Sequence, residues 1–378
     1  MDKKLNIALV TFPYSYAVPT GLAEFITRIL APLCHQIVLI TGQLLKVKGK
    51  NLQTVRLPCQ FSEGEFLLLR IAKAIIPQFS ITINLFRLRR KYDVIIFFCT
   101  AELFLLPMLV SRLSGKRIII IHTGNLSLSY GQLYHRGLKR IVPLGLRLVE
   151  KAAFSLAHRI VLQSQEIIKL MNLKSYRRKI SLTHYYFVGN QFKPEKDLTE
   201  RAKIVGYIGK FASFKGVNNF VQAIPLVLAQ REDIHFLMAG GSGGQFHRVE
   251  TELKQNATLS CVSLHRSVPH KEIAQLLNRL KLLVLPSYSE GVPHIILEAM
   301  ACDTPVLATA VGGIPTIIED GVSGFLLKDN SPKNIAEGII QALAHPHLQE
   351  ISQNAQRRIE KDYTINSIAG KWQTVLYS

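Results

Sequence analysis

Leu5-Asn6-Ile7-Ala8-Leu9-Val10 is a short, almost wholly apolar run. A strand with one wet face alternates polar and apolar residues. A strand covered on both faces does not, so this run suits the centre of a parallel sheet. A turn-rich stretch from Pro13 to Gly21 follows. Leu22, Phe25, Ile26, Ile29, Leu30 and Leu33 then recur at helical spacing, and Ile37–Thr41 reads as the next strand. Strand, loop, helix and strand in that order form the repeating unit of a doubly wound α/β sheet.

The pattern continues through Val94–Cys99, Arg117–Ile121 and Arg159–Gln163. It pauses at the polar, proline-containing stretch Gln191–Lys203 and restarts. Ile204–Ile208, Ile234–Ala239, Leu282–Leu285, Pro305–Ala308 and Gly324–Leu327 are the later apolar runs. A chain of 378 residues suggests at least two domains. The polar stretch is the expected linker, with an N-terminal domain over 1–190 and a C-terminal domain over 191–363. Two such domains would face each other across a cleft, where open α/β sheets bind ligands at their carboxyl ends.

Hydrophobic residues make up 48% and charged residues 19%, which excludes a mainly disordered chain. The five cysteines are odd in number and contain no C-x-x-C, which argues against a disulfide framework or a Cys-type zinc site. The most apolar candidate for a membrane span, Val94 to Val110, is interrupted by Glu102 and Pro107. Met1-Asp2-Lys3-Lys4 before Leu5–Phe12 faintly resembles a signal peptide. The apolar run is short, however, and a helical pattern soon follows, so a buried strand is the expectation.

The segment richest in chemistry is Leu285-Pro286-Ser287-Tyr288-Ser289-Glu290-Gly291-Val292-Pro293-His294-Ile295-Ile296-Leu297-Glu298-Ala299-Met300-Ala301. A strand ends near Pro286, Gly291 permits a close turn, and Pro293 suits the first turn of a helix. Free N–H groups at that helix start suit a phosphate. Glu290 and Glu298 bracket this anion site and are placed to hold sugar hydroxyls. A second segment, Gly206-Tyr207-Ile208-Gly209-Lys210-Phe211-Ala212-Ser213-Phe214-Lys215-Gly216, runs from a strand through a loop with two cations into a helix. Lys210 and Lys215 suit a diphosphate. Gly240, Gly241, Gly243 and Gly244 follow another strand end, a weak phosphate-loop signal when taken alone.

Taken together, these segments resemble glycosyltransferase family 4, the retaining, GT-B-fold transferases that use nucleotide sugars. Glu290 and Glu298 match the family's E-x7-E signature. Pro305-Val306-Leu307-Ala308-Thr309-Ala310-Val311-Gly312-Gly313-Ile314-Pro315 and Asp320-Gly321-Val322-Ser323-Gly324-Phe325-Leu326 also resemble it. The likeness is dense from Ile204 to about Leu343 and looser before that. It implies that Glu290, with Gly291, Val292, Pro293 and His294, lies by the transferred sugar, and that Glu298 holds the nucleotide ribose. Lys210 stands where the family usually has Arg, keeping the charge and losing the bidentate fork. Gly241 would lie near the nucleotide, and Val268, within Arg266-Ser267-Val268, near the base. Pro19-Thr20-Gly21 resembles the family's Gly-Gly loop, with Gly21 leading a helix toward the diphosphate or acceptor. His122 follows a strand at the place where a family histidine contacts the donor sugar. The last segment, Thr364–Ser378, resembles a final helix that returns to the first domain. These positions make Glu290, His122 and Lys215 the expected catalytic residues.

No D-x-D occurs in the chain. Lys210, Lys215 and helix N-termini would supply the positive charge that a metal otherwise brings to the leaving diphosphate, so metal-independent catalysis without a cofactor is expected. Through residue 190 there are 27 Lys and Arg against 8 Asp and Glu, a net +19; the remainder carries 19 against 18, or +1. Basic clusters lie among aliphatic residues in Glu65–Lys91, Leu133–Arg159 and Lys169–Lys179, a pattern suited to an anionic membrane surface. Nucleic acid is disfavoured, since the basic runs are interleaved with aliphatics more than with stacking aromatics and no zinc-finger, RRM or basic-zipper pattern appears. The expectation is therefore a hexosyltransferase at the inner face of the cell membrane. It would carry sugar from a UDP- or GDP-linked donor to a lipid-linked glycan, as in cell-surface or exopolysaccharide assembly. A nucleotide-sugar epimerase and a non-catalytic sugar-nucleotide or membrane-binding protein are the rival readings; the E-x7-E context argues against the first.

Overall fold

In the computed structural model the described residues are 4–11, 21–42, 44–57, 67–98, 103–122, 138–240 and 244–378. They form two units, one of Met1–Phe187 with Ile365–Ser378 and one of Val188–Thr364. In the first, β1 (Asn6–Thr11), β2 (Gln36–Thr41), β3 (Leu52–Arg56), β4 (Val94–Phe98), β5 (Arg117–His122), β6 (Arg159–Leu162) and β7 (Ile180–Leu182) build one parallel sheet. Its order is β3-β2-β1-β4-β5-β6-β7. The apolar run of β1 is central, and Ile7 through Val10 are completely buried. Both faces are covered, so nothing in this strand needs to alternate.

The second unit repeats the scheme. It uses β8 (Ile204–Ile208), β9 (His235–Ala239), β10 (Val262–His265), β11 (Leu282–Leu285), β12 (Val306–Thr309) and β13 (Phe325–Leu327), in the order β10-β9-β8-β11-β12-β13. Each sheet reverses direction of growth once, between β1 and β4 and between β8 and β11. Loops leaving the two strands at such a point diverge to opposite faces and open a crevice.

The polar stretch 191–203 is not a free linker. It belongs to the second unit, and the division falls between Phe187 and Val188. Asn278 anchors it through Glu195 N at 2.8 Å and Lys193 O at 3.0 Å. Arg201 is buried, donating to Thr304 Oγ1 at 2.9 Å and to the Cys302 carbonyl at 2.8 Å. Charge-rich sequence alone suggested solvation, and most of these charges are exposed, but Arg201 reaches inward to polar atoms at a following helix end. The helical pattern from Leu22 is also realised differently. It is wound as a π-helix over Phe25–Leu30, with Phe25, Ile26, Ile29 and Leu30 buried.

The final helix, Ile365–Tyr377, packs on this π-wound segment in the first unit. Trp372 is fully buried, 4.9 Å from the Phe25 ring, and its Nε1 donates to the His184 carbonyl at 2.8 Å. Burial pushes the His184 imidazole down to about 4, with the Lys371 charge acting in the same direction. A histidine that is neutral when folded takes up a proton on unfolding once the pH drops below its ordinary value. Stability of the first unit should therefore fall from about pH 6.5 to about pH 4, by up to about 1.4 kcal/mol per unit. Trp372, the single tryptophan, reports this unit. Urea titrations followed by its fluorescence should show the slope, and His184→Gln should flatten it; an unchanged slope would refute the assignment.

Candidate functional site

The crevice of the second unit is bounded by the loops after β8 and β11, and these carry the two segments singled out in the sequence. After β8 the chain passes Gly209 and Lys210, makes a tight turn over Ser213–Lys215, and enters the helix Val217–Leu228. Gly216 has φ +71°, and a Cβ there would lie 1.9 Å from the Pro286 carbonyl oxygen. Only glycine permits both the backbone angle and the approach of the two loops. Tyr288 N donates to the Phe214 carbonyl at 2.9 Å, which ties them further.

This contact delivers Lys215 to Glu290. Its Nζ lies 2.7 Å from both carboxylate oxygens, and the Glu290 side chain is only 6% exposed. Ser287, fully buried, donates to Glu290 Oε1 at 2.7 Å. On the other side, Gly312 adopts φ +57°, and a Cβ there would fall 1.8 Å from the Glu290 carbonyl oxygen. Gly313 N donates to the Gly291 carbonyl at 2.7 Å. The Val311–Ile314 part of the resembling segment thus serves as a brace behind Glu290. A carboxylate held by an ammonium group, a hydroxyl and two braced loops has little freedom, which is the preorganisation a reacting centre needs.

Pro293 is the N-cap of the helix His294–Ala301 and lies just outside it, rather than in its first turn as the sequence suggested. Its ψ of 118° is extended, so helical geometry begins only at His294. Val292 and Pro293 are buried, and Gly291 and His294 are partly exposed. Glu298 lies on the inner side of this helix with 4% of its side chain exposed. His270 Nε2 is 2.8 Å from Glu298 Oε1, and the His270 ring lies 5.5 Å from that of Phe192. The carboxylate is therefore oriented by an imidazole that the sequence analysis did not name, although His270 follows the noted Val268 by two residues. Val268 is a partly exposed loop residue between β10 and the turn His270–Glu272.

Lys210 is exposed, and its carbonyl accepts from the Tyr207 hydroxyl at 2.9 Å. Gly241 lies outside the described residues. In the first unit Gly21 has φ +80° and heads the helix at Leu22, with the Tyr186 ring against it. His122 closes β5 and is fully buried, its ring meeting Phe154 edge to face at 5.5 Å. Among the described residues no three His, Cys, Asp or Glu side chains cluster as a metal site would require.

Two parallel sheets wound in the same order, each with its loops at a switch point, define the class of GT-B proteins. Solved structures agree. The chain superposes on sucrose-phosphate synthase from Thermosynechococcus elongatus with a TM-score of 0.76 at 19% identity, covering 99% of this chain and 98% of that one. Against Anabaena HepE in complex with UDP and glucose the TM-score is 0.74 at 16% identity, covering 99% and 100%. Residues 190–358 match the family described as "Glycosyl transferases group 1". Through this region, a little under half of its length, the chain is similar to the group 1 glycosyl transferases, which include the family 4 enzymes it resembles. An uncharacterized glycosyltransferase of Methanocaldococcus jannaschii is 32% identical over 144 residues, 38% of this chain and 39% of that protein. The chain thus aligns with about two fifths of the length of that relative.

Proposed function

We propose that this protein is a retaining, metal-independent hexosyltransferase that carries a sugar from a UDP- or GDP-linked donor to a lipid-linked glycan at an anionic membrane surface, as in cell-surface polysaccharide assembly. The observation that carries the reading is the Lys215–Glu290 pair, part-buried and braced from both sides at the switch point of the second unit. In this scheme Glu290 lies against the transferred sugar beside the main chain of Gly291, Val292, Pro293 and His294. Lys210 and Lys215 meet the diphosphate, where negative charge grows as the glycosidic bond breaks. Glu298 accepts hydrogen bonds from the ribose hydroxyls, and Val268 and Gly241 border the nucleotide. From the first unit, His122 and Gly21 serve the donor sugar and the acceptor side. The UDP complexes of HepE support a uridine donor as the first candidate.

The membrane part of the proposal draws support from the +19 charge of residues 1–190. Among the described residues no helix is long and apolar enough to cross a bilayer. A peripheral association on the cytoplasmic side, electrostatic in origin, is the corresponding location.

The test is a thermal-shift panel of UDP- and GDP-hexoses, followed by transfer assays with the best binder. A ligand that binds only the folded state at about a hundred times its Kd stabilises by about 2.7 kcal/mol. One nucleotide series should raise the midpoint of the second unit and then be turned over. Binding without transfer or hydrolysis would replace the proposal with a non-catalytic sugar-nucleotide protein.

A further inference from the structure

Three helices of the first unit lie side by side: Leu67–Arg87, Leu105–Leu113 and Leu138–Leu156, the second packed against both others. Their inner sides are ordinary core, with Ile81, Leu85, Met108, Ala153 and Phe154 buried. Their outer sides are not ordinary surface. Ile76, Phe79, Ile83 and Phe86 recur at spacings of three and four residues, so they form one stripe, and all are about half exposed or more. Leu113 is 79% exposed at the end of the second helix, and Leu144 and Leu148 are each 62% exposed on the third. A soluble surface carries such residues singly, and gathered on neighbouring helices they mark an interaction face.

The charges around this stripe are of one sign. Arg87, Arg89, Arg90 and Lys91 follow one another at the end of the first helix, Arg112 is exposed on the second, and Arg147 and Lys151 on the third. The three helices contain a single carboxylate, Glu150, and it is buried. A second copy of the chain meeting this face through a twofold axis would set arginine against arginine. A polyanion such as nucleic acid would leave the phenylalanine and isoleucine stripe in water. An interfacial bilayer site matches both features, since apolar side chains enter the boundary of headgroups and acyl chains while the cations stay at the phosphates.

We infer that this outer face is the docking surface for an anionic lipid bilayer, with Ile76, Phe79, Ile83, Phe86, Leu113 and Leu148 inserting and the flanking arginines engaging lipid phosphates. The inference rests on the membrane part of the proposed function and deepens it. Binding has an inserted apolar component on a defined face, beyond diffuse attraction to a basic half.

The experiment is sedimentation of the full chain with phosphatidylcholine vesicles and with phosphatidylcholine–phosphatidylglycerol vesicles, across a salt series. Two variants are compared with wild type. In one, Ile76→Ser, Phe79→Ser, Ile83→Ser and Phe86→Ser are combined; in the other, Arg87→Gln, Arg89→Gln, Arg90→Gln and Lys91→Gln. All eight side chains lie at the surface, and Trp372 fluorescence together with the nucleotide-induced thermal shift checks that both units remain folded. Wild type should prefer the anionic vesicles and keep part of its binding at high salt. The serine variant should bind at least about tenfold more weakly and lose the salt-resistant part. The glutamine variant should lose up to roughly fivefold per charge removed, mostly at low salt. Wild-type levels of binding by the serine variant would overturn the assignment of this face while leaving a membrane-associated enzyme intact. Failure of wild type to bind either vesicle at low salt would overturn both. A lipid-free dimer that the serine substitutions dissociate would show that a second copy covers the face, and would also overturn the inference.

Discussion

Lys215→Met should lower turnover by about 10²-fold or more, equivalent to about 2.7 kcal/mol of transition-state stabilisation. In the proposed reaction its ammonium group faces the diphosphate, the group that gains charge as the sugar departs. The structure adds a second consequence. Lys215 is also the cation that accompanies Glu290, whose side chain is almost entirely buried. Removing one partner of such a pair leaves an uncompensated charge, at a cost of about 3 kcal/mol in folding stability. The activity measurement therefore needs a partner experiment. The double variant Lys215→Met with Glu290→Gln should regain much of the stability, because the buried group is then neutral, and should stay inactive. EDTA should leave the wild type nearly unaffected. A folded Lys215→Met protein with near-normal turnover would remove the lysine from the mechanism. Loss of activity in EDTA and its recovery with Mg²⁺ would remove the metal-free part.

Glu298→Gln should weaken nucleotide-sugar binding by about 1.5–3 kcal/mol, roughly 10- to 150-fold, through loss of charge-assisted hydrogen bonds to the ribose. His270 makes this prediction sharper. The imidazole touches one carboxylate oxygen and helps to orient the group, so His270→Ala should produce a smaller loss of affinity in the same direction. Calorimetry on both folded variants separates the two effects. Unchanged affinity in Glu298→Gln for UDP- and GDP-hexoses alike would disprove the ribose assignment, whatever the behaviour of His270.

The central strands were legible because burial on both faces leaves a simple mark. Ile7–Val10, Ile204–Ile208 and Leu282–Leu285 are runs without polar interruption, and each lies in an interior strand. Three strands went unread: β3, β7 and β10. Each lies at the edge of its sheet and is partly exposed. Leu52-Gln53-Thr54-Val55-Arg56 is half polar because one side of an edge strand meets water, which removes the very signal that identifies a buried one. The stretch 191–203 misled for the opposite reason. Its charges suggested solvent, yet Arg201 finds buried acceptors about a hundred residues away in sequence.

By itself the sequence determined the class of fold, the repetition of the α/β scheme and the uneven charge, and it singled out two candidate segments, since each of these is written in local composition and spacing. Eight residues separate Glu290 from Glu298, which is enough to put one before a helix and the other within it. Only the tertiary structure decided what each carboxylate touches. Glu290 meets Lys215, 75 residues earlier, because β8 and β11 are neighbours in the sheet and glycine at 216 lets their loops close on each other. Glu298 meets His270, 28 residues earlier, across two elements with no shared periodicity. The apolar stripe on the Leu67–Arg87 helix was visible as amphipathic sequence, but its outward direction was not. A helical repeat specifies that one face is apolar, and whether that face meets the core or the surroundings is settled only when the other helices take their places.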